Sequence, residues 1–429
     1  MTTPAPSAAP RRAAIPFILI TVLLDTLGVG LIIPVGPRLV ASFLDNDLER
    51  AAHWFGLLMS LYSLMQFVFA PVLGGLSDRF GRRTVILMSL AGAATSYLTS
   101  GLAPALWWLF IGRIVAGITG ASFSAANAYI ADITPPEKRA ANFGLVGAVF
   151  GLGFILGPML GGILGDYGLR VPYFVGAGLN FCNMVYGFFV LPESLPKESR
   201  RRFDFARANP IGSLGNLRKS PLVLRLTGTL ACAFMAQMIL QSTWALSSQA
   251  RFGWNFKQVG MSFMAVGLSM AIVQGVVVRA VIPVLKEKKS LALGLAFGAT
   301  GYALIGLATR GWMLYAFVPF LALGGIAGPA VQAIITHQVG PKQQGELQGA
   351  INSLQGLTAI VGPLIGTMLI ARFGTDTSAI HVPGAPFFAA CLFSALGLVL
   401  ALRSLANVQI TMTNRPAGPA GADAAPPSA

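Results

Sequence analysis

Charge is what this sequence has least of. Of its 429 residues, 10% are Asp, Glu, Lys or Arg, while 55% are hydrophobic; a soluble domain carries roughly 25% charged residues. Too little polar surface is available to cover such a chain in water, so a soluble globule is excluded. Histidine and cysteine appear three times each. Cys182, Cys232 and Cys391 all lie inside apolar runs without metal-ligand spacing, so no disulfide, metal or cofactor is expected. Carboxylates are half as many as bases, 15 against 30, for a net charge of +15. The bases form no stripe with interleaved aromatics, which excludes a nucleic-acid partner. No phosphate-binding loop and no nucleophile paired with a base appears, so neither an enzyme nor an ATP-driven pump is expected.

What the chain does have is apolar runs of about 20 residues, each long enough to cross a bilayer. They fall at 14–36, 53–74, 84–103, 105–130, 142–165, 171–191, 222–246, 258–281, 290–308, 311–336, 347–371 and 385–404. The fold class this implies is all-α: a polytopic membrane protein with twelve transmembrane helices and the lipid bilayer as its surroundings. The first run is too long for a signal peptide and no clean cleavage site follows it, so it reads as a retained span.

Orientation follows from the loops, because Lys and Arg accumulate on the cytoplasmic side. With both termini inside, 22 Lys/Arg fall in cytoplasmic segments and seven in outer loops, Arg113 lying within a span. His53 and His381 then belong to outer loops and carry no role. The expected units are a cytoplasmic segment 1–13, a six-helix bundle 14–191, a basic cytoplasmic connection 192–221, a second bundle 222–404 and a tail 405–429. That tail has too few large apolar residues to order itself.

The halves repeat. At an offset of 205, Asn127 meets Gln332, Pro136 meets Pro341, Gly144 meets Gly349, Gly157-Pro158 meets Gly362-Pro363 and Gly161 meets Gly366. One ungapped shift aligns them all. Duplicated six-span halves are the build of a rocking-bundle transporter, with its substrate site between the halves near the midplane.

Four places carry chemistry. Asp25 stands alone in the first span, its nearest charged neighbours in sequence being Arg12 and Arg38, thirteen positions away on either side. Its partner must come from another helix, or it must carry a proton. Arg113, in Gly112-Arg113-Ile114-Val115-Ala116-Gly117, costs roughly 2.5–3.5 kcal/mol to insert, so a cavity or an acid is expected beside it. Gly74-Gly75-Leu76-Ser77-Asp78-Arg79-Phe80-Gly81-Arg82-Arg83 reads as a tight loop holding paired charges at the cytoplasmic mouth. A charge cluster of Asp78, Arg82, Arg83 and Asp132 is expected there, favouring one access state. In the fifth span Gly153, Gly157, Pro158, Gly161 and Gly162 allow close helix approach and a bend.

Together these residues resemble the major facilitator superfamily. The loop at Asp78 is similar to the signature between its second and third helices, and the Gly-Pro-x-x-Gly-Gly ending to the antiporter motif of its exporters. The first-span motif around Asp25 and the Arg113 motif are similar to those of twelve-span drug/proton antiporters, nearest the tetracycline/proton group. Ile130-Ala131-Asp132, Arg251-Phe252-Gly253-Trp254-Asn255 and Gln343-Gln344-Gly345-Glu346 extend the match along the membrane region. The resemblance also marks departures. Where tetracycline antiporters of the best-known type carry acids in the third and ninth spans and a His in the eighth, this chain has Ser96, Gly298 and Met270.

The resemblance implies secondary active export of small organic molecules against protons by alternating access, through a functional monomer in a bacterial inner membrane, with Asp25 and Arg113 coupling the proton. An uptake facilitator or symporter with the same fold is the alternative. Tyr62, Gln66, Tyr129, Phe234, Gln237, Gln241, Gln332, Asn352 and Gln355 are expected to line the cavity, as hydrogen-bonding groups and apolar walls suited to a neutral or zwitterionic substrate.

Overall fold

The computed structural model describes residues 8–120, 122–200, 221–337, 344–374 and 381–405. Among them the chain is helical, without strands. Ten stretches are long and apolar enough to cross a membrane on that basis alone, and two observations raise this to twelve. Phe256–Leu307 is 52 residues, about 78 Å at the helical rise. That is more than twice the ~30 Å hydrocarbon thickness. It breaks at Lys286, where φ is 60° and ψ 167°, and is therefore two spans, the eighth and ninth. Arg82–Gly101 is less apolar but packs between Leu106–Thr119 and Val171–Val190, and Ser96 in it donates to the Gly112 carbonyl at 2.7 Å. Ser89, Ser96 and Ser100 are buried against protein, so it crosses as the third span.

The first span is Ala8–Ile32, the second Leu48–Phe80 and the fifth Pro136–Tyr167. Several helices outrun the bilayer, because once nucleated they gain a hydrogen bond per residue until a breaker intervenes. The expected loop after the second span is thus mostly helix: Asp78 and Arg79 belong to Leu48–Phe80, and Gly81 alone makes the turn. The fourth span is interrupted at Gly120, between Leu106–Thr119 and Ser122–Ile133. Within the expected segment 1–13, residues 1–7 lie outside the described residues, as do 201–220 of the inter-bundle connection and 406–429 of the tail.

Each half has its own apolar core, around Ile86, Leu90 and Ile130 in the first and Leu226, Ile334 and Ile335 in the second. The repeat shows in the packing. The fifth span packs on the first and crosses to the eighth (Phe256–Ile272); the eleventh (Gln344–Phe373) packs on the seventh (Pro221–Phe252) and crosses to the second. These two crossings join the halves and frame the space between them.

Candidate functional site: a cavity between the halves

A cavity of about 1900 Å³ lies between the two bundles. Asp25 and Arg113 line it, and they are its only charged residues among those described. Both lie within electrostatic reach of Tyr62 and Tyr97, and Arg113 also of Tyr173, which lines the same space. Helices one, two, three, four and six thus converge on one acid and one base. Tyr62 accepts from Gln66 Nε2 at 3.2 Å, and the same amide reaches the Gly120 carbonyl at 3.1 Å, where the fourth span is interrupted. Gln66 thus ties the second span to the fourth at that interruption.

The opposite wall is neutral. Phe234, Gln237, Gln241, Asn352 and Gln355 line it, with Met270 and Gln274 beside them. Ser96, Gly298 and Met270, the positions of the departures noted above, also line the cavity. The arrangement can hold an organic molecule between a charged wall and a hydrogen-bonding one. No group of His, Cys, Asp and Glu among the described residues could hold a metal ion.

Two expected cavity residues lie elsewhere. Tyr129 is fully buried in the core of the first half and donates to the Pro192 carbonyl at 2.9 Å. Its phenol secures the start of the inter-bundle connection. Gln332 lies in a separate groove of the tenth span and donates to Gln348 Oε1 at 3.2 Å; Gln348 in turn donates to Asn352 at 3.1 Å. In both cases the residue type suited a cavity, but the helix turns that face away. Conversely, Tyr97 and Tyr173 were missed, since a lone Tyr in an apolar run has no sequence mark separating a cavity face from a lipid face.

At the Asp78 end, Arg82 lies 2.7 Å from Asp78 and 3.1 Å from Asp132, and donates to Ser77 Oγ at 3.1 Å. Arg83 does not join. It donates to the Phe188 carbonyl and stacks over the Phe188 ring at 5.6 Å, because it points along the helix face toward the sixth span. A different residue completes the cluster: Glu193 accepts from the Arg82 backbone N–H at 2.8 Å. Gly81 makes this possible. Its φ is +104°, and a Cβ there would overlap the Glu193 carboxylate, lying 2.6 Å from Cδ. The hint was the acid opening the connection, which reads as an ordinary loop charge.

The fifth-span glycines work as two faces. A Cβ on Gly153 would lie 2.8 Å from Thr26 Cβ, one on Gly157 2.8 Å from Gly30 Cα, and one on Gly161 2.7 Å from Leu31 Cα. That four-residue stripe presses on the first span, below the turn bearing Asp25. Gly162 faces the other way, against the Phe256 backbone, and the Pro158 carbonyl fills the place a Cβ on Gly260 of the eighth span would need. Further along the same helix, Gly144, Gly147 and Gly151 have open space instead, as do Gly275 and Gly328 opposite. The cavity is therefore sealed at the Gly162 end and opens toward the Asp78 end. Across the sealed end, Gln249 donates to the Pro34 carbonyl at 2.9 Å and accepts from Arg38 Nε at 3.2 Å.

The model of the Major Facilitator Superfamily matches residues 18–357 and 284–426. The chain is 41% identical to the class C tetracycline resistance protein of Escherichia coli over 376 residues, 87% of this chain and 94% of that one. It is 41% identical to the class G tetracycline resistance protein of Vibrio anguillarum over 396 residues, covering 89% and 96%. Among solved structures, the human organic anion transporter MFSD10 superposes with a TM-score of 0.67 at 25% identity, covering 91% of this chain and 99% of that one. A bacterial homologue of the lysosomal transporter Spinster, inward-facing and occupied, gives 0.72 at 16% identity over 94% and 98%. This multi-pass membrane protein, built of two six-helix bundles around a cavity closed at one end, belongs to the major facilitator superfamily of secondary transporters, in the group of the tetracycline resistance proteins.

Proposed function

We propose that the protein exports small organic molecules, tetracycline first among the candidates, from the cytoplasm of a bacterium in exchange for protons. The observation that carries this is the charge content of the cavity: one carboxylate, Asp25, and one guanidinium, Arg113, share a wall within reach of Tyr62 and Tyr97, opposite a neutral, amide-lined wall. The relatives' names add the link to tetracycline resistance. The basic excess on the Asp78 side supports a cytoplasmic position for that end and for both termini, in a bacterial inner membrane. The cavity then opens inward in this structure, and its seal at Gly162 is the outer gate.

In the proposed cycle a proton reaches Asp25 while the cavity faces outward. Protonation removes its charge from beside Arg113, and substrate leaves. The bundles rock about the first–fifth and seventh–eleventh contacts until the cavity faces inward. Loss of the proton to the cytoplasm restores the Asp25 charge and substrate rebinds. The cluster of Arg82 with Asp78, Asp132 and Glu193 joins helix ends within the first half and biases one access state. Nothing in the cycle needs a second copy of the chain, and a monomer suffices.

The test uses everted vesicles and proteoliposomes containing the protein with tetracycline and a drug panel, with and without a proton uncoupler. Wild type should accumulate drug in everted vesicles only while the proton gradient stands. Asp25→Asn should fold and bind drug yet lose gradient-driven movement. Gradient-driven export at wild-type rates by Asp25→Asn would remove Asp25 from the mechanism; accumulation in the opposite direction would favour the uptake reading.

A further inference from the structure

Among the described residues the second half places no carboxylate on the cavity, yet its wall departs twice from α geometry at one level. The eighth span contains a π-helical turn, Val273–Val277, and the tenth a 3-10 turn, Gly324–Ile326. Turns of the π type inside α-helices gather at functional sites. In membrane proteins irregular backbone is tolerated only where it is buried in protein or lines a cavity. Here both irregular turns line the cavity, through Gln274 and Gly275 on one side and Gly324 and Gly325 on the other.

The sequence explains the second irregularity. Residue 329 is Pro, which has no N–H, so the α-helical bond that position would give to the Gly325 carbonyl is missing. Gln274 fills the gap from the neighbouring span: its Nε2 donates to the Gly325 carbonyl at 3.2 Å. Gly at 325 eases this approach, since a Cβ there would lie a tight 3.3 Å from both Gln274 Nε2 and Met270 Sδ. With Nε2 so held, the Gln274 amide and the Gly325 carbonyl stand together among the residues that line the cavity. Gly275 and Gly328, which have nothing within 4 Å of a Cβ position, leave room in front of them.

We propose that Gln274 and the Gly325 carbonyl form a substrate subsite that accepts hydrogen bonds from a neutral donor, a hydroxyl or amide N–H of the transported molecule. The set holds two oxygen acceptors and a thioether but no counter-charge, so it suits a neutral donor, while a cationic group finds Asp25 on the far wall. The subsite rests on the export reading and divides its labour: the first half reads charge and proton, the second reads hydroxyl pattern.

The structural role of Gln274, filling a proline gap, can be separated from binding. Pro329→Ala returns an N–H to the tenth span and gives Gly325 O a helical donor, so the gap no longer needs Gln274. Tetracycline transport and binding would be measured for wild type, Gln274→Leu, Pro329→Ala and the double variant, and for analogues each lacking one hydroxyl. Gln274→Leu should raise KM and Kd about tenfold with little change in maximal rate. The double variant should recover wild-type Tm but keep the raised KM, and one analogue should show no further loss in the variant. Recovery of wild-type KM by the double variant, or an unchanged KM in Gln274→Leu, overturns the subsite alone. A wild-type protein that moves no drug of the panel overturns the export reading, and the subsite with it.

Discussion

Gln249 offers the sharpest test of how the sealed end is held. It is 3% exposed and binds across the bundle interface, donating to the Pro34 carbonyl and accepting from Arg38. Gln249→Leu removes both bonds and keeps the side-chain size near its original. Arg38 is only half-buried and can turn to water, so its loss contributes about 0.5 kcal/mol. Pro34 is buried, and a buried carbonyl left without a donor costs about 1–2 kcal/mol. The closed end thus loses about 2 kcal/mol against the state in which this end opens and both groups meet water. At 1.4 kcal/mol per decade, that is roughly a 30-fold shift toward the open form. Spin labels at Ser42→Cys and Arg310→Cys, both exposed and one on each half, would report it by electron–electron distance measurement. Cys182, Cys232 and Cys391 would first be replaced by Ser. The expected result is a new longer distance in Gln249→Leu, growing at the expense of the shorter one. A folded variant with the wild-type distribution refutes the latch.

Three further outcomes follow from the packing. Gly161→Val should weaken the first–fifth span contact by about 3 kcal/mol, since the new side chain meets Leu31 backbone that cannot yield; a vesicle proton-leak assay should show increased leak, and a tight, stable variant would sink the seal. Arg251→Ala should lower Tm at a cost of about 3 kcal/mol, because Arg251 donates to the carbonyls of Ile305 at 3.1 Å, Gly306 at 3.0 Å and Ala308, capping the ninth span. Drug Kd at low temperature should stay unchanged, and an unaltered Tm would contradict the cap. Gly81→Ala should cost about 1–3 kcal/mol through its positive φ and displace Glu193 from Arg82; Glu193→Ala in the same chain should relieve part of the loss, and full additivity of the two would argue against their contact.

Much of the site was legible because charge in an apolar run is conspicuous. Asp25 and Arg113 could be found without a structure, since each residue of that kind needs a partner or a cavity and neither had a partner nearby in sequence. The role of Arg83 was not legible. It adjoins Arg82 in sequence, yet successive helical residues point about 100° apart, so one meets two acids and the other a backbone carbonyl. Tyr129 and Gln332 failed for the same reason, as each was judged by type without knowledge of which way its helix is turned.

The sequence by itself determined the crossings, the duplication and the isolated positions of Asp25 and Arg113 in their apolar runs. Insertion cost is additive along the chain, so it is written residue by residue. Only the tertiary structure decided which faces meet. Helix rotation is set by close contacts such as Gly161 on Leu31 and Gly362 on Met238, between residues far apart in sequence. Those contacts bring Tyr62, Tyr97 and Tyr173 around Asp25 and Arg113, place Glu193 beneath Arg82, and set Gln274 against a carbonyl that Pro329 had left without a donor.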